Sequence, residues 1–177
     1  MVAIKQAMPT LILVLLLACW TPVAGQRATS PRVTAERFYR TYLKLNVRGL
    51  PNDTELKALS PFLSRDLEQL FRDARTAQQK YIREHPDDKP PWAEGDLFTS
   101  LFEGANSFRV GVPKIEGDRA EVPVVLAYRS GNSTSQWADV LVLTRTANSW
   151  RVWDILMKGE WTFKTGNSLR SILRSDQ

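Results

Sequence analysis

Two aspartates in the C-terminal half of the chain stand among apolar and aromatic residues, where carboxylates are uncommon. Asp154 lies between Trp153 and Ile155, and Asp139 has similar apolar neighbours earlier in the chain. Burial would disfavour the charged carboxylate and raise its pKa toward the range that suits a general base. The alternative is structural, with each carboxylate paired to an arginine or accepting backbone hydrogen bonds at a strand end. The spacing leaves both roles open, and Asp154 is the stronger catalytic candidate.

Tyrosines supply the hydrogen-bonding partners of such a site. An enzyme built on this sequence would use Asp154 as the base and Tyr128 as a hydrogen-bond donor. Tyr39 and Tyr42 are predicted to take part in ligand or partner binding, as aromatic residues whose hydroxyl groups reach a pocket. The alternative places these tyrosines in the core, with the hydroxyl groups at its rim.

Two of the six tryptophans complete the predicted binding set. Trp161 follows a glycine and a glutamate, and it is the best candidate for an exposed contact residue. Trp92 follows two prolines and is predicted to anchor its segment. A further role for Trp92 at the rim of a cavity stays open.

The composition excludes several common chemistries. With one histidine (His85) and one cysteine (Cys19), the chain cannot form a multi-histidine zinc site or an intramolecular disulfide. It contains no glycine-rich phosphate loop and no Gly-x-Ser-x-Gly nucleophile motif, so we predict no metal and no cofactor. The net charge of +5 arises from 24 basic and 19 acidic residues without a dense basic stripe, and nucleic acid is therefore not a predicted partner.

The N-terminus has the pattern of an export signal. Lys5 precedes an apolar run over residues 11–20 that is too short to span a bilayer comfortably, and polar sequence follows it. The predicted organisation is a signal peptide over residues 1–25, a flexible leader over 26–33 and a single α+β domain over 34–175. In the alternative, residues 1–18 are removed and a lipid on Cys19 is the contact with the membrane. Both versions predict a periplasmic or extracellular location.

Helical spacing of apolar residues marks the first half of the domain. Thr34 is predicted to cap a helix that carries Phe38 and Tyr42. A short helical turn is predicted after Asp53. A long helix is predicted to begin at Ser60, because a capping hydroxyl there is followed by proline, and to run to about Glu84.

The stretch KPPWAEGDLFTSLFEG, residues 89–104, sets three carboxylates among prolines and glycines, as a metal-binding loop would. Its oxygen-bearing side chains lack the tight, alternating spacing of a calcium loop. Glu94 and Asp96 instead fall where acidic residues favour the start of a helix. The apolar residues recur at the spacing of one helical face, at Leu97, Phe98, Leu101 and Phe102. We therefore predict a third core helix in this stretch, and no metal site.

From Phe108 onward the apolar residues alternate with period two, and short turns separate the runs. This pattern predicts successive antiparallel strands. Pro123 predicts that its strand is at an edge, bulged or unpaired at that residue. A last short helix is predicted to be capped by Asn167 or Ser168. The predicted fold class is α+β, with N-terminal helices packed on a curved, cone-like antiparallel sheet and a short C-terminal helix.

This layout resembles the nuclear transport factor 2-like superfamily, in which helices fill the mouth of a cone-shaped sheet. Over residues 33–173 the chain also resembles an uncharacterised family of secreted bacterial proteins, through FYRTYL, SPFLSRDLEQLF, the 89–104 stretch, SWRVWDIL and NSLRSIL. These motifs are packing positions, so the resemblance implies a fold and no catalytic residue. Enzymes of the superfamily usually place Asp or His in the cavity, whereas no histidine lies on a predicted strand here.

The favoured function is a non-enzymatic binding or protein-interaction domain. Its predicted partner is a small apolar ligand, a peptide or a secreted protein. One alternative is a small pocket enzyme of the isomerase or dehydratase kind that uses Asp154. The other alternative is an inhibitor or immunity-type protein.

Overall fold

A computed structural model of the protein describes residues 29–147, 149–161 and 167–174. The elements are α1 (Pro31–Leu45), α2 (Asp53–Leu59), α3 (Arg65–Glu84), β1 (Ser107–Val110), β2 (Lys114–Glu116), β3 (Arg119–Ser130), β4 (Ser133–Thr146), β5 (Ser149–Leu156) and α4 (Leu169–Arg174). Helices thus precede a five-stranded antiparallel sheet and a short helix follows it, which confirms the predicted α+β fold class. The predicted signal peptide and Cys19 lie outside the described residues. No helix within the described ranges is long and apolar enough to cross a membrane.

Helix α1 begins earlier than its apolar pattern indicated. Ser30 is the N-cap, and its Oγ accepts a hydrogen bond from the amide of Val33 at 3.3 Å. Pro31 occupies the first turn, where its missing N–H leaves no helical hydrogen bond unmade. Thr34, the predicted cap, lies inside the helix. Residues 31–33 therefore belong to α1 and not to a flexible leader.

Helix α3 begins later than predicted, whereas its end at Glu84 is confirmed. Ser60 is the C-cap of α2, because its amide donates to the carbonyl of Leu56 at 2.8 Å. Ser64 caps α3 instead, with its Oγ accepting from the amide of Leu67 at 3.2 Å. Both serines carry a hydroxyl that could cap a helix. Because the chain forms a turn between α2 and α3, Ser64 is the residue that caps α3.

The third core helix predicted within residues 89–104 is wrong. Turns and bends connect α3 to β1. Three residues of this connection have left-handed backbone dihedrals: Trp92 (φ 52°), Gly95 (φ 79°) and Gly104 (φ 77°). Such dihedrals interrupt a right-handed helix. Phe102, an expected core residue, is 42% exposed, so the helical spacing of apolar residues here does not mark one buried face.

The sheet has the strand order β1–β3–β4–β5, and β2 also pairs with β3. Residues 119–121 of β3 pair with β2, and residues 124–127 pair with β1. Pro123 lies in the gap between them and is unpaired on this side, as predicted, whereas on the other side it is opposite Val140 of β4, so its strand is not at an edge. Its carbonyl accepts from Gly111 at 2.7 Å, and no ladder hydrogen bond is lost through its missing N–H.

The core lies between the sheet and helices α1 and α3. Phe38, Tyr39, Phe71 and Phe98 are all at most 1% exposed. Their rings contact each other, with centroids 5.2 Å apart for Phe38 and Tyr39 and 5.6 Å apart for Phe71 and Phe98. Since aromatic residues bury the largest apolar areas, this cluster dominates the packing of helices on sheet.

The free edge of β5 is covered at two points. The amide of Val152 donates to the carbonyl of Phe62 at 2.7 Å, and the amide of Ser64 donates to the carbonyl of Val152 at 2.8 Å. Further along, the amide of Met157 donates to the carbonyl of Asn167 at 3.0 Å. Segments before α3 and before α4 therefore satisfy edge groups of the last strand.

Candidate functional site

Asp96, which the sequence placed at a helix start, is instead a buried carboxylate in the connection between α3 and β1. It is 1% exposed. Its Oδ2 accepts a hydrogen bond from the hydroxyl of Tyr42, and its Oδ1 accepts from the amide of Phe98 at 2.7 Å. Asp96 thus links this irregular connection to helix α1. Sequence reasoning missed it because the neighbouring apolar residues mimic a helix.

Burial raises the pKa of Asp96 from 3.8 to about 6. The hydrogen bonds from Tyr42, Phe98 and Thr99 and the charge of Arg48 oppose this rise without cancelling it. The same burial, together with the adjacent carboxylate, raises the pKa of Tyr42 well above its usual range. A proton can therefore be gained or lost at Asp96 in the weakly acidic range.

The surroundings of Asp96 leave no room for a reacting group. Gly104 lies against the pair, and a Cβ at this position would come within 2.7 Å of Asp96 Oδ2 and 2.9 Å of the Tyr42 hydroxyl. Arg48 closes another side and donates to the carbonyl of Glu103 at 2.5 Å. A general base must reach the proton that it abstracts, so the geometry favours a structural carboxylate.

Asp139 anchors two other irregular segments to β4. It is fully buried. Its Oδ2 accepts from the amide of Ser100 at 2.8 Å and from Nε1 of Trp137 at 3.0 Å. Its Oδ1 accepts from the hydroxyl of Ser100 and from the amide of Lys158 at 2.8 Å. The amide of Gly159 also donates to Oδ1, at 3.4 Å. With five donors on one carboxylate, the structural interpretation of Asp139 is the better one.

Asp154, the leading catalytic candidate from the sequence, holds the start of helix α4. It is 5% exposed, and its Oδ1 accepts from the amide of Arg170 at 2.9 Å and from the amide of Ile155 at 2.8 Å. This is the structural alternative stated for Asp154, backbone hydrogen bonds near a strand end. The carboxylate satisfies amides that would otherwise lack acceptors.

Asp154 and Tyr128, the two residues of the enzymatic alternative, are not brought together. Tyr128 pairs with Ser135 on one side of β4, and Asp154 pairs with Val142 on the other side. Positions 135 and 142 are roughly 23 Å apart along the strand at about 3.3 Å per residue. Tyr128 instead lines a shallow surface groove of about 370 Å³, which also contains Phe102.

Tyr39 and Tyr42 are brought together beside the buried carboxylates, with ring centroids 6.0 Å apart. The hydroxyl of Tyr39 has no hydrogen-bond partner among the described residues. Burial raises the pKa of Tyr39 well above its usual value, and the charges of Asp139 and Asp96 raise it further. Both tyrosines are core residues, at 0% and 3% exposed, so neither contacts a ligand on the surface.

The two predicted tryptophan contacts are also packing residues. Trp92 is 9% exposed, and its Nε1 donates to the carbonyl of Ile172 at 3.1 Å, which joins the connection to helix α4. Trp161, expected to be exposed, is only partly accessible and packs edge-on against Trp137 with centroids 5.8 Å apart. The prediction of an exposed Trp161 is wrong, because the polar residues before it do not carry it away from the core.

A groove with a volume of about 820 Å³ lies elsewhere. Its lining comes from the start of α3 and from the turn between β4 and β5. The lining residues are Ser60, Pro61, Leu63, Ser64, Arg65, Asp66, Glu68, Thr144, Thr146, Ala147, Ser149, Arg151 and Trp153. An adjoining groove of about 280 Å³ shares Pro61, Ser149 and Arg151 with it and also contains Arg37 and Trp150. We call the two together the α3 groove.

Trp153, which lines the α3 groove on the outer face of the sheet, has two further arginines against its ring. The guanidinium carbons of Arg119 and Arg170 lie 4.3 Å and 4.5 Å from the ring centroid of Trp153. Arg170 also donates to the carbonyl of Trp153 at 3.3 Å. The alternation in SWRVWDIL predicts that Arg151 and Trp153 share the face opposite Asp154. This was the part of the site that the sequence alone could have indicated.

Comparisons with known proteins place no further constraint on the site. No family model matches the chain, and no curated protein or solved structure was found to be similar to it. The resemblance to the nuclear transport factor 2-like superfamily therefore stays a prediction. Within residues 29–147, 149–161 and 167–174, no three His, Cys, Asp or Glu side chains are grouped so that they could hold a metal ion.

Proposed function

We propose that the protein is an exported, non-enzymatic binding domain that takes an extended segment of a partner protein in the α3 groove. The observation that carries the proposal is the groove itself, about 820 Å³ with a continuation of about 280 Å³. A groove lined by tryptophan and arginine has the composition of protein-interaction hot spots.

The backbone of β5 supports an extended partner. Alternate residues of a strand direct their N–H and C=O groups to the same edge. The amide and carbonyl of Val152 point to the free edge of β5 and hydrogen-bond to the segment before α3. Trp150, two residues earlier, directs its amide and carbonyl to the same edge, and neither group has a hydrogen-bond partner among the described residues. Trp150 also lines the α3 groove. A partner segment that adds to this edge would gain main-chain hydrogen bonds as well as side-chain contacts.

The roles of the buried aspartates favour binding over catalysis. Asp96, Asp139 and Asp154 each accept hydrogen bonds from backbone amides of an irregular segment or a helix start. Holding backbone amides in place is a structural use of a carboxylate. The inhibitor or immunity-type alternative is compatible with the same groove, since an inhibitor also binds a segment of another protein.

A groove-filling variant tests the proposed site. Peptides of twelve residues, displayed on phage, would be selected against the wild-type protein and measured against Ser149→Trp and Ser135→Trp. Both serines are partly buried strand residues, but only Ser149 lines the α3 groove. We expect selected peptides to bind the Ser135→Trp control like the wild type and Ser149→Trp at least tenfold more weakly. Equal binding to both variants, with both folded by circular dichroism, would contradict the proposal.

The proposed location has its own test, because it rests on the N-terminal sequence pattern alone. The intact mass of the protein purified from its own host should correspond to a mature chain that begins at Gln26. A mass that corresponds to an acylated Cys19 would replace this version by the lipid-anchored one. An uncleaved chain would exclude both versions.

A further inference from the structure

We infer that the segment bound in the α3 groove is acidic, an inference that rests on the function proposed above. The groove is rich in arginine. Arg65 and Arg151 line its larger part, and Arg37 lines the smaller part. None of these three arginines forms an ion pair within 4.0 Å in the part of the chain that the structure describes.

One of the two acidic residues that line the same groove already pairs with another cation. Glu68 pairs with Arg72 at 2.6 Å. Asp66 forms no ion pair within 4.0 Å among the described residues. The two parts of the groove therefore present three unpaired arginines against one unpaired carboxylate.

The arginines on the sheet are held in a row by strand register. Arg119 on β3 is opposite Thr144 on β4, and Thr144 is opposite Arg151 on β5. Neighbouring strands are about 4.8 Å apart, so Arg119 and Arg151 are roughly 10 Å from each other across the sheet. Trp153 contacts the guanidinium of Arg119 at 4.3 Å, which restricts its side chain before any partner arrives.

Arginine in this arrangement selects carboxylates. A guanidinium group offers a planar set of donors that matches a carboxylate in a two-bond pair, and its stacking on an aromatic ring leaves those donors free. The backbones of Arg119 and Arg151 are roughly 10 Å apart across the sheet, so a bound segment with two acidic side chains can place one at each guanidinium. A segment that crosses the strands on this outer face, with both acidic side chains toward the sheet, reaches both arginines.

The test uses fluorescein-labelled peptides of twelve residues that alternate glutamate with threonine, and matched peptides that alternate glutamine with threonine. Fluorescence anisotropy would measure their binding to the wild type and to Arg119→Gln, Arg151→Gln and Arg129→Gln. Arg129 is the matched control, since it is an exposed arginine at the far end of β3 from Arg119. We expect the glutamate peptide to bind at least tenfold tighter than the glutamine peptide, with the preference lost in Arg119→Gln and Arg151→Gln but kept in Arg129→Gln.

Several results would overturn the inference. Equal affinity for the two peptides, or no binding of the glutamate peptide, would show that the groove does not select acidic segments. An equal loss in Arg129→Gln would indicate unspecific attraction to the basic protein. Displacement of the glutamate peptide by a twelve-nucleotide single-stranded DNA at lower concentration would favour nucleic acid instead. If phage-selected peptides remain sensitive to Ser149→Trp while the charge variants have no effect, the proposed function stands and the acidic partner is wrong.

Discussion

Replacement of Asp96 by asparagine should make the protein more stable at neutral pH. The pKa of Asp96 is about 6 in the folded protein, against an ordinary value of 3.8. Because this pKa is raised on folding, the folded state binds the proton more tightly than the unfolded state does. The free energy of unfolding therefore falls as the pH rises from about 4 to about 6, and this loss persists above pH 6.

The magnitude follows from the difference in pKa. A shift of about 2 units at 1.36 kcal/mol per unit corresponds to about 3 kcal/mol. The asparagine side chain would keep an acceptor for the amide of Phe98, and the hydroxyl of Tyr42 can rotate to accept from the new amide group. The variant lacks the ionisation of Asp96, so its stability advantage over the wild type should grow by about 3 kcal/mol between about pH 4 and about pH 7.

Urea unfolding followed by tryptophan fluorescence at several pH values measures this difference. The pH dependence of all other groups cancels when the wild type is subtracted from the variant. Asp87→Asn is the control, because it removes an exposed carboxylate from the same connection and should leave the difference flat. If the advantage of Asp96→Asn did not change with pH, or if it decreased toward neutral pH, the argument from burial would be refuted.

Two pairs of substitutions test the packing around this carboxylate. Gly104→Ala should lower the free energy of unfolding by more than about 2 kcal/mol, because φ is 77° and the new Cβ would lie 2.7 Å from Asp96 Oδ2. Gly117→Ala is the control and should lower it by only about 1 kcal/mol, because φ is 57° and no atom lies within 4 Å of the new Cβ. Equal losses in chemical denaturation would contradict the close contact at Gly104. Tyr39→Phe should raise the free energy of unfolding by about 1 kcal/mol, because it removes a buried hydroxyl without a partner among the described residues, whereas Tyr42→Phe should lower it by removing the donor to Asp96. A destabilised Tyr39→Phe would mean that the hydroxyl has a partner, and the binding role predicted for Tyr39 would regain support.

Regular elements could be predicted because their signals are local. The period-two alternation located β3 to β5, and the helical spacing after Ser64 located α3 to within a few residues. The start of α3 was misplaced because Ser60 and Ser64 both provide a capping hydroxyl. The two serines differ in a long-range contact: the segment after α2 hydrogen-bonds to Val152 on the edge of β5, and α3 begins only after this segment.

The connection between α3 and β1 could not be predicted from local spacing. Its apolar residues follow a helical period, but its path is set by contacts with distant parts of the chain. Asp96 binds Tyr42, 54 residues earlier, and Ser100 binds Asp139, 39 residues later. The α3 groove was missed for the same reason. Its lining residues come from the start of α3 and from β5, and these come together only when β5 pairs with β4 and with the segment before α3. No window of the sequence contains such pairs.

The buried carboxylates do not line the α3 groove, so substitutions in the two places should affect different properties of the protein. Backbone amides of irregular segments need acceptors when they are buried, and Asp96, Asp139 and Asp154 provide acceptors for three such segments. A buried amide that loses its acceptor is costly, so substitutions at these aspartates act mainly on stability. Residues such as Arg119 and Ser149 bear on none of these hydrogen bonds, and their substitution should alter partner binding with little effect on folding. The residues that first suggested catalysis thus act on the fold, and under the proposed function partner selection can vary independently in the groove.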